Sequence, residues 1–257
     1  MKHSQLLLLV LLFLCLFAGP PSSFSASAQE RTTPTADTSP VVSDTQTIDL
    51  RASEYHDEAH PHRSPLLSPE EDRAYSELNH HIAGIFVCLV GGLALLARQR
   101  PTQFAWAQSG WPIVFILLAV FLFVRHDPES WPFGPLSLQE SLTDVQVVQH
   151  FIFTSIVLSI GVVEWLRSQG KLTHPLWSLT FPALAVSAAL MLFTHPHGEG
   201  PSAEKVYRHH ATMAVAGIAA MIAKVLEDTQ VFANKVSSYA WSGLIVFIGV
   251  MLLLYSE

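Results

Sequence analysis

Six apolar runs, 81 to 97, about 108 to 124, 149 to 166, 176 to 194, 209 to 226 and 239 to 255, follow one another through the C-terminal part of the chain, with short polar stretches between them. Each is close to the ~20 residues that carry a helix across a ~30 Å hydrocarbon layer. An open strand or loop in that layer would leave its backbone polar groups unsatisfied. The pattern therefore predicts an all-α fold: a polytopic membrane helix bundle of about six transmembrane helices over 76–257. Ahead of it, 29–75 is rich in Ser, Thr, Pro, Asp and Glu and has no apolar periodicity. That composition predicts a disordered extracytoplasmic tail, because it cannot bury a core.

A further apolar run, 4 to 18, follows Lys2 and His3 and leads into Gly19, Pro20, Pro21 and the small triplet Ala26, Ser27, Ala28. It is too short to span and has the flanks of a secretory signal peptide, which predicts removal of 1–28 after Ala28. Of the two cysteines, Cys15 leaves with that peptide and Cys88 sits in an apolar run, so no disulfide framework is expected.

Composition sharpens the class. Half of the 257 residues are hydrophobic and 14% are charged, a balance that is apolar for a soluble domain and ordinary for a small helical membrane protein. The net charge of −7 gives no reason to expect nucleic-acid binding. With the tail outside, the inner loops hold Arg98, Arg100, Arg167, Lys171 and Lys235, against Arg125, Lys205 and Arg208 in the outer ones. That excess agrees with the positive-inside rule. Trp106, Trp111, Trp131, Trp165, Trp177, Trp241 and Tyr255 fall near segment ends and read as interfacial anchors, while Pro182 reads as a kink in the fourth segment.

The chemistry concentrates in histidine. Under this topology every histidine of the mature chain except His174 lies on the extracytoplasmic side. His80 and His81 open the first segment, His150 the third, and His209 and His210 the fifth, while His195 and His197 close the fourth. His126 ends the second, and the tail adds His56, His60 and His62. A single interfacial histidine is ordinarily a polar cap; seven on four helix ends at one depth point to a metal site. Imidazole is the commonest side-chain ligand for late first-row metals. Neighbouring helices in a bundle pack 8–10 Å apart, so side chains from several ends can reach one ion.

Met191, four residues before His195, and Met213, four after His209, would add thioether sulfur one turn deeper, which favours copper; methionines that only fill gaps are the competing reading. The expected metal ligands are thus drawn from His80, His81, His150, His195, His197, His209 and His210, with Met191 and Met213 as soft ligands. Elsewhere, Glu164 and Lys224 form an expected intramembrane pair, and Asn79 is expected to cap the first segment or orient a histidine.

The Asn-His-His at 79–81, the loop RHDPESWPFGP at 125–135, His150 after a short acidic-polar stretch, LFTHPHG at 192–198 and the following His-His at 209–210 together resemble bacterial inner-membrane proteins of the copper resistance D (CopD-like) family. The resemblance covers most of 75–257. It implies a multi-pass protein of the bacterial inner membrane that binds copper through these histidines at the periplasmic face. Its role would be uptake, resistance or homeostasis, with a periplasmic copper carrier as a partner besides the ion and the lipid bilayer. The alternative is a b-type haem electron carrier, in which two histidines on different helices hold haem b. No nucleophile with a paired base and no His-Glu-x-x-His pattern stands out, so no catalytic activity is expected.

Overall fold

The computed structural model describes residues 67–194, 201–229 and 235–257. The expected signal peptide, most of the expected tail with His56, His60 and His62, and the helix-end pair His195 and His197 lie outside the described residues. All regular structure among the described residues is helical. The long elements are α1 (Pro69–Gln99), α2 (Ala105–Arg125), α4 (Val145–Ser168), α6 (Pro201–Asp228) and α7 (Lys235–Leu253). Between them lie the single turn α3 (Leu138–Ser141) and α5 (Thr180–Met191), which is led in by a 3-10 turn over Pro175–Leu179.

Four helices, Pro69–Gln99, Ala105–Arg125, Val145–Ser168 and Ala203–Asp228, are long and apolar enough to cross a membrane; Pro175–Met191 and Tyr239–Leu253 are shorter apolar helices. Large apolar side chains are exposed all along the outside of the bundle, Ile85 and Leu89 on α1, Leu117 and Val120 on α2, Val215 and Ile222 on α6, Phe247 and Val250 on α7. Water would penalise so continuous an apolar surface, whereas lipid accommodates it.

α1 begins well before the apolar run that announces it. Ser68 accepts a hydrogen bond from Glu71 N at 3.3 Å while the Glu71 carboxylate accepts from Ser68 N at 2.9 Å, a reciprocal capping box. Pro69 fills the first helical position, where its missing N–H costs nothing. Residues 69–75, expected in the tail, are therefore helical, and His80 and His81 sit about three turns inside α1. Pro182 likewise falls in the first turn of α5, where it meets the helix start instead of kinking a longer helix.

The helices pack in a closed cycle, α1 on α2, α2 on α4, α4 on α5, α5 on α6, α6 on α7 and α7 back on α1. Closure between first and last depends on glycine. A methyl group built on Gly84 would lie 2.8 Å from Gly249 O, and one on Gly249 would lie 2.6 Å from Cys88 N. Such small residues let membrane helices approach backbone to backbone. The centre is filled by Trp111, Phe115, Phe181 and Trp241, whose ring centroids lie 5.8 Å to 6.2 Å apart. Trp111 and Trp241 are thus buried core, not interfacial anchors, while Trp106, Trp131 and Trp177 remain exposed.

Candidate functional site

One end of the bundle gathers histidine from four helices. His80 and His81 come from α1, His126 caps the C-terminus of α2, His150 lies in α4, and His209 and His210 lie in α6. The rings of His80 and His210 have centroids 6.1 Å apart. His150 is close enough to interact electrostatically with both His126 and His80. The side chains thus converge across helices that are far apart in sequence.

Hydrogen bonds assign several of the ring nitrogens. A carbonyl can only accept, so His80 Nδ1 carries a proton and donates to Ser76 O at 2.8 Å, which leaves Nε2 with its lone pair. By the same logic His126 Nδ1 donates to Phe123 O at 2.9 Å, and His81 Nε2 donates to Tyr255 O at 2.9 Å. A ring nitrogen tied to a carbonyl orients the other nitrogen as a metal ligand. His126 Nε2 is then a lone-pair nitrogen, buried and without a hydrogen-bond partner among the described residues; His209 Nδ1 is buried in the same condition. Polar nitrogens are seldom buried in that state unless something else binds them. His126 was noted in the sequence only as a helix-end residue, because an isolated histidine between Arg125 and Asp127 has no spacing that marks it.

Tyr255 is the second residue that sequence reasoning misplaced. Expected as a lipid-interface anchor, it is 2% exposed and stacks on His80 at 3.9 Å between centroids. It also meets His209 edge-on at 5.8 Å and His210 at 6.0 Å. Its hydroxyl donates to Glu257 Oε1 at 2.9 Å, and Ser76 Oγ donates to the same oxygen at 2.6 Å. The segment after α7 is thereby folded over the histidine end. Asn79, expected to cap or to orient a histidine, instead bonds Arg125 in both directions, Nδ2 to its carbonyl at 3.0 Å and Oδ1 from its Nε at 3.1 Å. That pairing fixes the start of the 125–135 loop against α1.

With the side chains in these positions, no three His, Cys, Asp or Glu residues among the described residues are grouped tightly enough to hold a metal ion. His81 is turned to the Tyr255 carbonyl, and the Tyr255 ring is wedged among His80, His209 and His210. Of the soft-ligand candidates, Met213 is buried in α6 and Met191 ends α5. His174, at the other end of the bundle, accepts from Leu176 N at 3.3 Å and caps the 3-10 turn. The deep hydroxyls Ser155, Ser159, Ser187 and Thr212 each donate to a carbonyl four residues back in their own helix.

The opposite end carries a second polar cluster. Glu164 pairs with Arg167 at 2.5 Å and Lys224 with Asp228 at 2.5 Å, each within its own helix, and the expected partners Glu164 and Lys224 are close enough to interact electrostatically across α4 and α6. Arg98 of α1 pairs with Glu227 of α6, and Trp241 Nε1 donates to the other oxygen of Glu227 at 2.7 Å. No family model, curated protein or solved structure matches the chain.

Proposed function

We propose that the chain is a copper-binding protein of the bacterial inner membrane, crossing it about six times after a cleaved signal peptide, with the histidine end at the extracytoplasmic face. Its role is copper transport, resistance or homeostasis. The observation that carries this is the buried lone-pair Nε2 of His126, whose ring is held through Nδ1 by Phe123 O and is close enough to interact electrostatically with His150 of α4, which interacts in the same way with His80 of α1. Three imidazoles whose other nitrogens or helices are fixed suit a late first-row ion that takes about three or four ligands. His209 and His210 supply further nitrogens from α6, and Met213 offers soft sulfur one turn deeper. Binding completes a trigonal or tetrahedral set through rotation of these rings and displacement of the Tyr255 wedge. The same wedge weighs against the haem b alternative, since a porphyrin plane needs far more room between two imidazoles than one ion does.

Metal analysis by mass spectrometry, with a visible spectrum, on the full chain purified in mild detergent after growth with added copper tests this. About one copper per chain, or more, without a band near ~400 nm supports the proposal. A strong band there that shifts on reduction replaces it by the haem carrier, and neither signal removes it.

A further inference from the structure

The end of the bundle away from the histidines holds a cavity of about 840 Å³. Its volume is in the range of small-molecule sites. Arg98, Arg167 and Lys224 line it together with Glu164 and Asp228, three cations against two carboxylates. Glu227, the remaining carboxylate, is turned toward Arg98 and the Trp241 indole.

Exposure decides which sign of ligand meets a partner first. The side chains of Arg98 and Arg167 are 30% and 23% exposed, whereas those of Glu227 and Glu164, which they pair with, are 8% and 5%. The Lys224 ammonium is buried at 4% beneath Asp228 at 13%. In both arginine pairs the cation is thus the more exposed member, while Glu164 and Asp228 share the cavity wall. Each guanidinium reaches its closest carboxylate through one nitrogen, Nη1, and Arg167 Nη2 lies 4.0 Å from Asp228. Five N–H donors in a planar fork leave others to bind an oxyanion. Trp111, Trp241 and Tyr239 add aromatic wall to the same space.

We infer that this cavity is a binding site for an oxyanion of the phosphate type, gripped between Arg98 of α1 and Arg167 of α4. The buried carboxylates hold the two guanidiniums in place, and the aromatic wall accepts the organic part of the ligand. A soluble phosphate compound and the headgroup of an anionic phospholipid present the same chemistry to it. The site is independent of copper binding at the other end.

The test uses the full chain in a non-ionic detergent and in lipid nanodiscs, with thermal unfolding and the fluorescence of Trp111 and Trp241 as readouts. Inorganic phosphate is titrated in detergent, and nanodiscs of phosphatidylglycerol are compared with nanodiscs of phosphatidylcholine. Saturable protection and a fluorescence change with inorganic phosphate identify a soluble ligand; protection by phosphatidylglycerol alone identifies a lipid headgroup. Arg98→Gln is expected to weaken either effect by about tenfold or more. Ala97→Phe, which fills the cavity wall and keeps every charge, is expected to do the same, and it answers the question even if Arg98→Gln fails to fold. Undiminished effects in Ala97→Phe, or no effect of either probe on the native chain, overturn the inference.

Discussion

The phenol ring of Tyr255 lies over the imidazole of His80, with centroids 3.9 Å apart and planes within 20° of parallel. Two segments 175 positions apart in the chain thus share one ring stack, and the same phenol touches both histidines of α6. Tyr255 fixes the spacing of three imidazoles from α1 and α6. Replacing it separates its two roles. Tyr255→Phe keeps the stack and loses the bond to Glu257, at a cost of about 0.5–1.5 kcal/mol. Tyr255→Ala empties the wedge and costs about 3–5 kcal/mol, as deletion of a buried ring does. Thermal unfolding of the two variants in the same detergent measures the difference; equal losses would mean that the ring packing contributes little.

His126→Ala should weaken copper binding by about tenfold or more, because it removes an imidazole whose lone-pair nitrogen is already buried and oriented. His174→Ala, at the far end, should leave bound copper unchanged. Replacing His195 and His197 together by Ala tests whether the end of the fourth segment contributes a ligand as well. Copper content per chain, compared after growth in copper, reads all three, and unchanged copper in His126→Ala would take α2 out of the site.

Gly84→Leu should destabilise the bundle by about 1–3 kcal/mol or block its assembly, since the first added carbon already meets Gly249 O at 2.8 Å and Leu253 N at 2.8 Å. Gly92 has open space where a side chain would begin, so Gly92→Ala should be neutral or slightly stabilising, by about 0.5–1 kcal/mol. Their unfolding midpoints should therefore move in opposite directions or differ clearly. A tolerant Gly84 would show that α1 and α7 can separate without consequence.

Trp241→Phe should keep most of the aromatic core and yet cost about 1–3 kcal/mol, because Glu227 loses its indole donor in a buried place. Lys224→Met should cost more, about 3–5 kcal/mol, by leaving Asp228 without its ammonium. Unfolding of both variants in mixed micelles checks the order; a milder Lys224→Met would mean that Arg167, 4.0 Å from Asp228, takes over the pairing.

Hydropathy alone predicted a helical membrane protein, and all regular structure among the described residues is helical, because each apolar run must close its own backbone hydrogen bonds and the side chains of Ile85, Leu117 or Val215 need only be apolar to face lipid. The sequence likewise grouped His80, His81, His150, His209 and His210 toward one end of the bundle, since distance along an α-helix follows from residue count, but it took them for the first residues of their helices, whereas these helices begin earlier, at Pro69, Val145 and Pro201. Tertiary structure decided the rest. Tyr255 meets His80 because α7 closes on α1 at Gly84 and Gly249, and Arg98 of α1 meets Glu227 of α6 because α7 packs on both helices. A Trp or Tyr near a segment end reads as an interface anchor until its neighbours are known; Trp241 and Tyr255 are drawn inward because each finds a partner there, the Glu227 carboxylate for one and the Glu257 carboxylate and His80 ring for the other. Periodicity records which residues are apolar, and only the packing of six helices fixes which polar groups they enclose.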